Sequence, residues 1–251
     1  MSTLPKEPII VSRFDTGYLL RVLITDKYVA ACQPRTGSTL RRHGFVPVLG
    51  GLSSIEVGGK LYNGHIPLRS FPSEVTVGRT GIATVRDPFS WMASVYHWMR
   101  AVPRKSFEQH LLAWGQGSAE WSRVLYGWTH PWEVSPLLGS HAVANPGAPD
   151  WASQNEGFWT ISTRWFHEGS ALVLDASRQN EAWAELFPEH RDALIACGRK
   201  NGTPRPVVAD LYTSEQEAWV RASDGVLMEK LGYDGLGDIA LPHLVGSCPS
   251  L

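Results

Sequence analysis

YVAACQPRTGSTL, residues 28–40, joins an apolar run to a turn with one glycine followed by two hydroxyl side chains. The apolar half, residues 28–32, predicts a buried strand, and the polar residues 41–43 predict the first turn of a helix. A turn of this kind presents unpaired backbone N–H groups at the positive end of the helix dipole. Anions bind at such turns, and Arg35 adds a fixed positive charge. The stretch therefore predicts an anion-binding loop.

We call residues 33–39 the anion loop. The loop differs from a Walker A sequence, because it lacks that motif's first glycine and its final Gly-Lys-Ser/Thr. A phosphate-like ligand is therefore expected in a geometry other than the usual ATP geometry. Taken alone, the pattern is also compatible with an ordinary polar turn between a strand and a helix.

The composition limits the class of protein. The chain has 251 residues, of which 43% are hydrophobic and 19% charged, and its formal net charge is −1. These values are typical of a globular protein large enough to bury a substantial core. The near-neutral charge argues against a protein that binds nucleic acid through bulk electrostatics. An anion site must therefore depend on a few locally placed cations.

Cysteine usage and hydropathy indicate a compartment. The sequence has no apolar run of membrane-spanning length, and residues 1–8 lack the apolar core of a signal peptide. Cys32, Cys197 and Cys248 are odd in number and lack metal-ligand spacing, which favours a reducing compartment. We expect a cytoplasmic protein with no membrane or nucleic-acid partner and no bound metal.

Residues 81–88 form a second junction between a strand and a helix. The apolar residues predict a buried strand, Asp87 is a suitable helix N-cap, and Pro88 is a suitable first helical residue. The helix is predicted to run to about residue 100, with Met92 and Val95 on its buried stripe.

Other elements complete an alternating pattern. Gly44 is predicted to end the helix after the anion loop. The remaining predictions are a hairpin over residues 9–24, a strand over 171–175, a capping box at Ser106 and Gln109, and helices over 158–166, 180–187, 189–197 and 214–232, the last capped by Ser214 and Glu217. The alternation predicts a single α/β domain over residues 1–251. Its expected form is a three-layer, P-loop-like fold with a mainly parallel central sheet flanked by helices.

The two junctions together resemble the sulfotransferases that use 3′-phosphoadenosine-5′-phosphosulfate (PAPS), of the small bacterial type. Residues 34–39, PRTGST, resemble the family's 5′-phosphosulfate loop, with Arg35 where many members have lysine. Arg86-Asp87-Pro88, with Ser94 eight positions after the arginine, resembles the family's 3′-phosphate site. The resemblance implies cofactor-binding roles for Arg35, Thr36, Gly37, Ser38, Thr39, Arg86 and Ser94.

Two further segments resemble the same family. Residues 64–68, GHIPL, resemble the segment whose histidine takes the proton from the acceptor, which implies that His65 is the general base. Residues 198–202, GRKNG, resemble the basic loop that closes over the cofactor, which implies cofactor contacts for Arg199 and Lys200.

The resemblance implies a reaction in which PAPS and an acceptor give adenosine 3′,5′-bisphosphate (PAP) and a sulfated product. The transfer would be in-line, to a hydroxyl of a small molecule, with Arg35 stabilising the leaving phosphate and no metal taking part. The tryptophan-rich region 114–159 is predicted to form the acceptor site. The eleven tryptophans are also compatible with a homodimer.

Two alternatives stay open at this point. A P-loop-type small-molecule kinase would need a Gly-Lys-Ser/Thr loop, which is absent, and a Mg²⁺-binding aspartate, for which Asp87 and Asp175 are candidates. A non-catalytic binding protein could retain the nucleotide fold and present its tryptophans to a partner.

Overall fold

The computed structural model describes residues 22–31, 33, 35–37, 40–52, 55–57, 60–62, 67–98, 106–115, 156–198, 208–233 and 244–245. The strands in these ranges are β1 (Leu23–Ile24), β2 (Tyr28–Ala30), β3 (Ile55–Val57), β4 (Lys60–Tyr62), β5 (Thr80–Val85), β6 (Leu172–Asp175) and β7 (Leu244–Val245). The helices are α1 (Val46–Leu49), α2 (Ser73–Thr76), α3 (Pro88–Trp98), α4 (Phe107–Gly115), α5 (Phe158–His167), α6 (Gln179–Leu186), α7 (Arg191–Ile195) and α8 (Ser214–Leu231). A π-helical turn (Arg41–Phe45) precedes α1, and 3₁₀ turns span Leu68–Ser70, Pro188–His190 and Val208–Leu211.

The main sheet has five strands in the order β1-β2-β5-β6-β7. The pairs β2–β5 and β5–β6 are parallel, whereas β1–β2 and β6–β7 are antiparallel. The predicted α/β class is therefore confirmed, and the parallel arrangement holds for the three central strands. The antiparallel edges make the sheet mixed. β3 and β4 form a separate antiparallel hairpin, and residues 9–21 of the predicted first hairpin lie outside the described residues.

Helices cover both faces of this sheet. Successive side chains of a strand point to opposite faces, and the buried residues of β5 follow this rule. Ile82 belongs to a core that contains Trp183 of α6, whereas Ala83 and Val85 belong to a different core that contains Trp159 of α5. The second core also includes side chains of α3 and α8. The sheet is therefore flanked by helices on each side, as the alternating pattern predicts.

The predicted junction at the end of β5 is confirmed. Asp87 caps α3, because its Oδ1 atom accepts the Ser90 N–H at 2.7 Å and its carbonyl accepts the Trp91 N–H at 2.9 Å. Met92 and Val95 are buried as expected. The capping box of α4 is also confirmed, since the Gln109 N–H donates to Ser106 Oγ and the Ser106 N–H donates to Gln109 Oε1.

Gly44 does not end the helix after the anion loop. The π-helical turn continues through it, and α1 extends to Leu49 before Gly50 ends the helix in the left-handed conformation. A Cβ atom on Gly44 would lie 3.1 Å from the Sγ atom of Cys197. The glycine therefore allows close packing against the chain after α7 and does not act as a helix stop.

The cap of α8 lies one residue before the predicted position. Thr213 Oγ1 accepts the Gln216 N–H at 3.2 Å, and Gln216 Oε1 accepts the Thr213 N–H at 3.0 Å. Ser214 is the first helical residue. Among the described helices, including the 18 residues of α8, none is both long and apolar enough to cross a membrane.

Candidate anion-binding site

The anion loop begins at the carboxyl end of β2 and is fixed to α5. Gln33 is fully buried, and its Nε2 atom donates to the hydroxyls of Ser162 at 3.1 Å and Thr163 at 3.3 Å. Thr36 is also fully buried, and its hydroxyl donates to the Gln33 carbonyl at 2.8 Å. These bonds close a short turn whose polar groups are held inside the protein.

Arg35 lies at the tip of this turn and meets α3. Its Nε atom donates a hydrogen bond to Ser94 Oγ at 3.1 Å, across 59 residues of sequence. Its backbone is left-handed, with φ of 69°, a conformation that side chains with a Cβ atom rarely adopt. Ser94 is only 1% exposed, so the contact lies inside the protein.

Arg86 lies in the same cluster. Its Nη1 atom approaches the Arg35 carbonyl at 3.4 Å, and its own carbonyl accepts the indole N–H of Trp159 at 2.8 Å. Burial raises the pKa of the adjacent Asp87 carboxyl, while hydrogen bonds from Ser90 and the charge of Arg86 act in the opposite direction. The carboxyl ends of β2 and β5 thus place two arginines and one buried serine together.

Gly37 is required by the packing of the loop. Its φ is 94°, and a Cβ atom at this position would collide with the side-chain amide of Gln179 on α6. Gln179 is 5% exposed, so its amide has little space into which to move. The loop backbone therefore lies directly against the first turn of α6.

Arg41 follows the loop and folds inward. The residue is fully buried, its Nη1 atom donates to the Ala31 carbonyl at 2.9 Å, and its Nη2 atom approaches Thr36 Oγ1 at 3.4 Å. Its backbone N–H donates to the Gly37 carbonyl at 3.1 Å. One side chain thus connects the end of β2 with the turn of the anion loop.

His167, at the end of α5, lies within the electrostatic reach of Arg41. Burial lowers the pKa of this fully buried imidazole to about 3, and the charge of Arg41 acts in the same direction. The histidine is therefore neutral at physiological pH.

Of the sequence-predicted site residues, the structure brings together Arg35, Thr36, Gly37, Arg86 and Ser94. The others lie outside the described residues: Ser38, Thr39, His65, Arg199 and Lys200. Most of the predicted acceptor region also lies outside them, at residues 116–155. Its last tryptophan, Trp159, is fully buried and supports the backbone of Arg86.

Sequence reasoning missed the inner support of the loop. Arg41 was grouped with a polar helix start, because nothing in the run Arg41-Arg42-His43 distinguishes a buried arginine from a solvated one. The position of Gln33 gives a weak indication of its role. A polar residue that directly follows a buried strand commonly lies at the carboxyl end of the sheet, where ligand sites form.

The site offers donors for an anion. The Arg35 guanidinium contacts the Ser94 hydroxyl, and the Arg86 guanidinium contacts the Arg35 carbonyl. The net charge of the protein is −1, so this positive charge is local. Within the described ranges, no three His, Cys, Asp or Glu side chains are grouped as metal ligands. The chain matches no protein-family model, no curated protein and no solved structure.

Proposed function

We propose that the protein is a PAPS-dependent sulfotransferase with a P-loop-like fold, which sulfates a hydroxyl of a small molecule. One observation carries the proposal: Arg35 of the anion loop donates a hydrogen bond to Ser94 of α3, and Arg86 contacts the backbone of Arg35. The family resemblance assigns these residues to the two phosphate ends of one nucleotide. An ordinary polar turn gives no reason for the three to meet.

The donor chemistry of the cluster suits such a nucleotide. Guanidinium groups bind phosphate oxygens with paired, charge-assisted hydrogen bonds, and a serine hydroxyl adds a further donor. Arg35 would hold the 5′ anion with the backbone of Thr36 and Gly37, while Arg86 and Ser94 would hold the 3′-phosphate. PAPS would supply the sulfuryl group and leave as PAP. Arg35 would stabilise the negative charge that develops on the leaving phosphate.

The remaining roles rest on the resemblance alone. Ser38 and Thr39 would complete the 5′ site, and Arg199 and Lys200 would close over the nucleotide. His65 would accept the proton of the acceptor hydroxyl while the new sulfur–oxygen bond forms, a role that suits a group with a pKa near neutrality.

Thermal unfolding with PAP tests the cofactor class. At a hundred times the dissociation constant, PAP should raise the melting temperature by roughly 5–10 °C, because it binds only the folded state. The Arg86→Ala variant should lose most of this shift. The Arg191→Ala variant, which removes an exposed arginine of α7, should retain it. An equal PAP shift in the Arg86→Ala variant would show that Arg86 has no part in binding.

The same titration separates the alternative functions. A shift with ATP and Mg²⁺ but none with PAP would favour the kinase hypothesis. No shift with any nucleotide would favour a binding protein that retains the fold.

Turnover of PAPS tests the general base once an acceptor is found by screening. The His65→Ala variant should bind PAP normally, while its turnover number falls by roughly 10²–10⁴-fold. Full turnover in this variant would remove His65 from the mechanism and leave the cofactor assignment intact.

A further inference from the structure

We propose that Arg41 is a positioning residue of the anion loop, whose buried guanidinium supports the binding of a phosphate-like anion from the inner side of the loop. The inference deepens the proposed function and rests on that part of it which places an anion at the loop. It does not depend on which nucleotide carries the anion.

The contacts of Arg41 define the shape of the turn. Its two terminal nitrogens reach the Ala31 carbonyl and the Thr36 hydroxyl, and the same hydroxyl donates to the Gln33 carbonyl. A single arginine therefore connects Ala31, the residue that follows β2, with the turn at Thr36. Arg35, next to Thr36, owes its position over Ser94 to this turn.

The burial of Arg41 gives its charge a longer reach than a surface arginine would have. A guanidinium with no exposed surface is poorly screened by water and salt, so its field extends to groups several ångströms away. The same burial makes the charge costly to the fold unless polar groups or an anion compensate it. An anion held at Arg35 and Thr36 would add to the compensation that the Ala31 carbonyl and the Thr36 hydroxyl give.

The neighbouring His167 does not change this charge. His167 is neutral because burial and Arg41 both lower its pKa, so it adds no second cation and no anion. The outer side of the loop carries Arg35 and Arg86, which are partly exposed. The loop is thus bordered by cations on its outer side and by one buried cation on its inner side.

Isothermal titration with inorganic pyrophosphate tests the inference with a probe that requires no nucleotide site. We expect the Arg41→Met variant to bind pyrophosphate roughly 10- to 100-fold more weakly than the wild type, since a buried charge-assisted contribution of this size is lost. The Arg41→Lys variant keeps the charge but loses the forked hydrogen bonds. It should show a smaller loss, of about three- to tenfold.

Two further variants separate charge from loop geometry and from net charge. Thr36→Val removes the hydroxyl that Arg41 contacts but leaves the charge in place, so its loss should resemble that of Arg41→Lys. Arg191→Met removes an exposed arginine and should bind as the wild type does. This ordering of affinities is not expected if Arg41 only stabilises the fold, because circular dichroism and melting would then change while the affinity of folded protein would not.

The pyrophosphate titrations test the role of Arg41 separately from the PAPS assignment. Pyrophosphate affinity within twofold of wild type in folded Arg41→Met, or in Arg41→Lys where Arg41→Met does not fold, would overturn the inference. Absence of pyrophosphate binding by the wild type would overturn it as well. Weaker pyrophosphate binding in the Arg41 variants, with no PAP shift in the wild type, would support Arg41 and reject the PAPS assignment.

Discussion

Gly37 is restricted both by its backbone conformation and by a neighbouring side chain. Its φ of 94° disfavours any residue with a Cβ atom, and the space where that atom would lie is filled by Gln179. We expect Gly37→Ala to lower the free energy of unfolding by about 2–4 kcal/mol, the sum of backbone strain and overpacking.

Gly78 provides the matched control. Its φ of 74° imposes a similar backbone restriction, but nothing lies within 4 Å of the Cβ position. Gly78→Ala should therefore cost only about 1–2 kcal/mol. Urea denaturation of the two variants measures the difference, and equal losses would contradict the steric contribution of Gln179.

Also at the scale of residues, the sequence predicted the exposed side of the anion loop better than its buried support by Arg41. Arg35 and Arg86 were identifiable because cations that follow strands indicate anion binding, and Ser94 was identified through the family resemblance. The structure brings the three together. Arg41 was not identifiable, because its burial depends on a π-helical turn and on contacts with Ala31 and Thr36 that the local pattern does not reveal.

At the scale of elements, α8 depends on its first turn for a well-defined start. Thr213 and Gln216 satisfy each other's backbone N–H groups, which are otherwise unpaired at a helix N-terminus. Thr213→Ala should lower the free energy of unfolding by about 1 kcal/mol. Chemical denaturation measures this loss, and Thr213→Ser should restore most of the stability.

The predicted register of this cap makes a useful control. Ser214→Ala should change stability by less than about 0.5 kcal/mol, because Ser214 is an exposed first helical residue and not the cap. If Ser214→Ala lowered the free energy of unfolding more than Thr213→Ala did, Ser214 would be the cap, as the sequence predicts.

Most elements were predictable from local patterns, and their boundaries were less so. β5, α3 and α5 have strong apolar patterns and flanking signals, and they form where expected. The end of the helix after the anion loop was wrong because Gly44 was interpreted through its backbone freedom. Its actual role is a close approach to Cys197, a contact between segments far apart in sequence.

At the scale of the whole molecule, Asp224 connects α8 to α5. The residue lies on α8, is 1% exposed, and accepts the Thr160 N–H of α5 at 2.9 Å through Oδ1. Burial raises its pKa to about 6, and hydrogen bonds from Thr160 only partly oppose this. Asp224 of α8 therefore caps the first turn of α5 with a carboxyl group that is costly to ionise.

The raised pKa gives the stability of the protein a definite pH dependence. The contribution of Asp224 is fully present below its ordinary pKa of 3.8 and is lost as the pH rises through about 6. We expect the free energy of unfolding of the Asp224→Asn variant, relative to wild type, to increase by about 2 kcal/mol between pH 4 and pH 7. Urea titrations at several pH values measure this difference.

An exposed carboxylate controls for surface charge in this experiment. Asp192→Asn on α7 removes one negative charge at the surface and should change stability nearly equally at all these pH values. A difference between wild type and Asp224→Asn that stays constant with pH would show that Asp224 ionises as easily in the folded protein as in the unfolded chain.

The sequence predicts the α/β class of the fold, but it does not predict the direction of every strand. Apolar runs alternating with helices indicate parallel strands, and the three central strands obey this rule. The edge strands β1 and β7 are two residues long, too short to carry a directional pattern. The antiparallel pairing of β1 with β2 follows from their short connection over residues 25–27, which cannot form a parallel crossover. The pairing of β7 with β6 joins segments far apart in sequence, so no local pattern predicts it.

The left-handed backbone of Arg35 has a consequence for engineering this protein. A screen that selects only for thermostability would favour Arg35→Gly, because glycine adopts this conformation without the roughly 1–2 kcal/mol that arginine incurs. The same exchange deletes the side chain that reaches Ser94. A substitution at position 35 that raises stability would thus lower ligand affinity, so a mutant library made for thermostability should keep Arg35 unchanged.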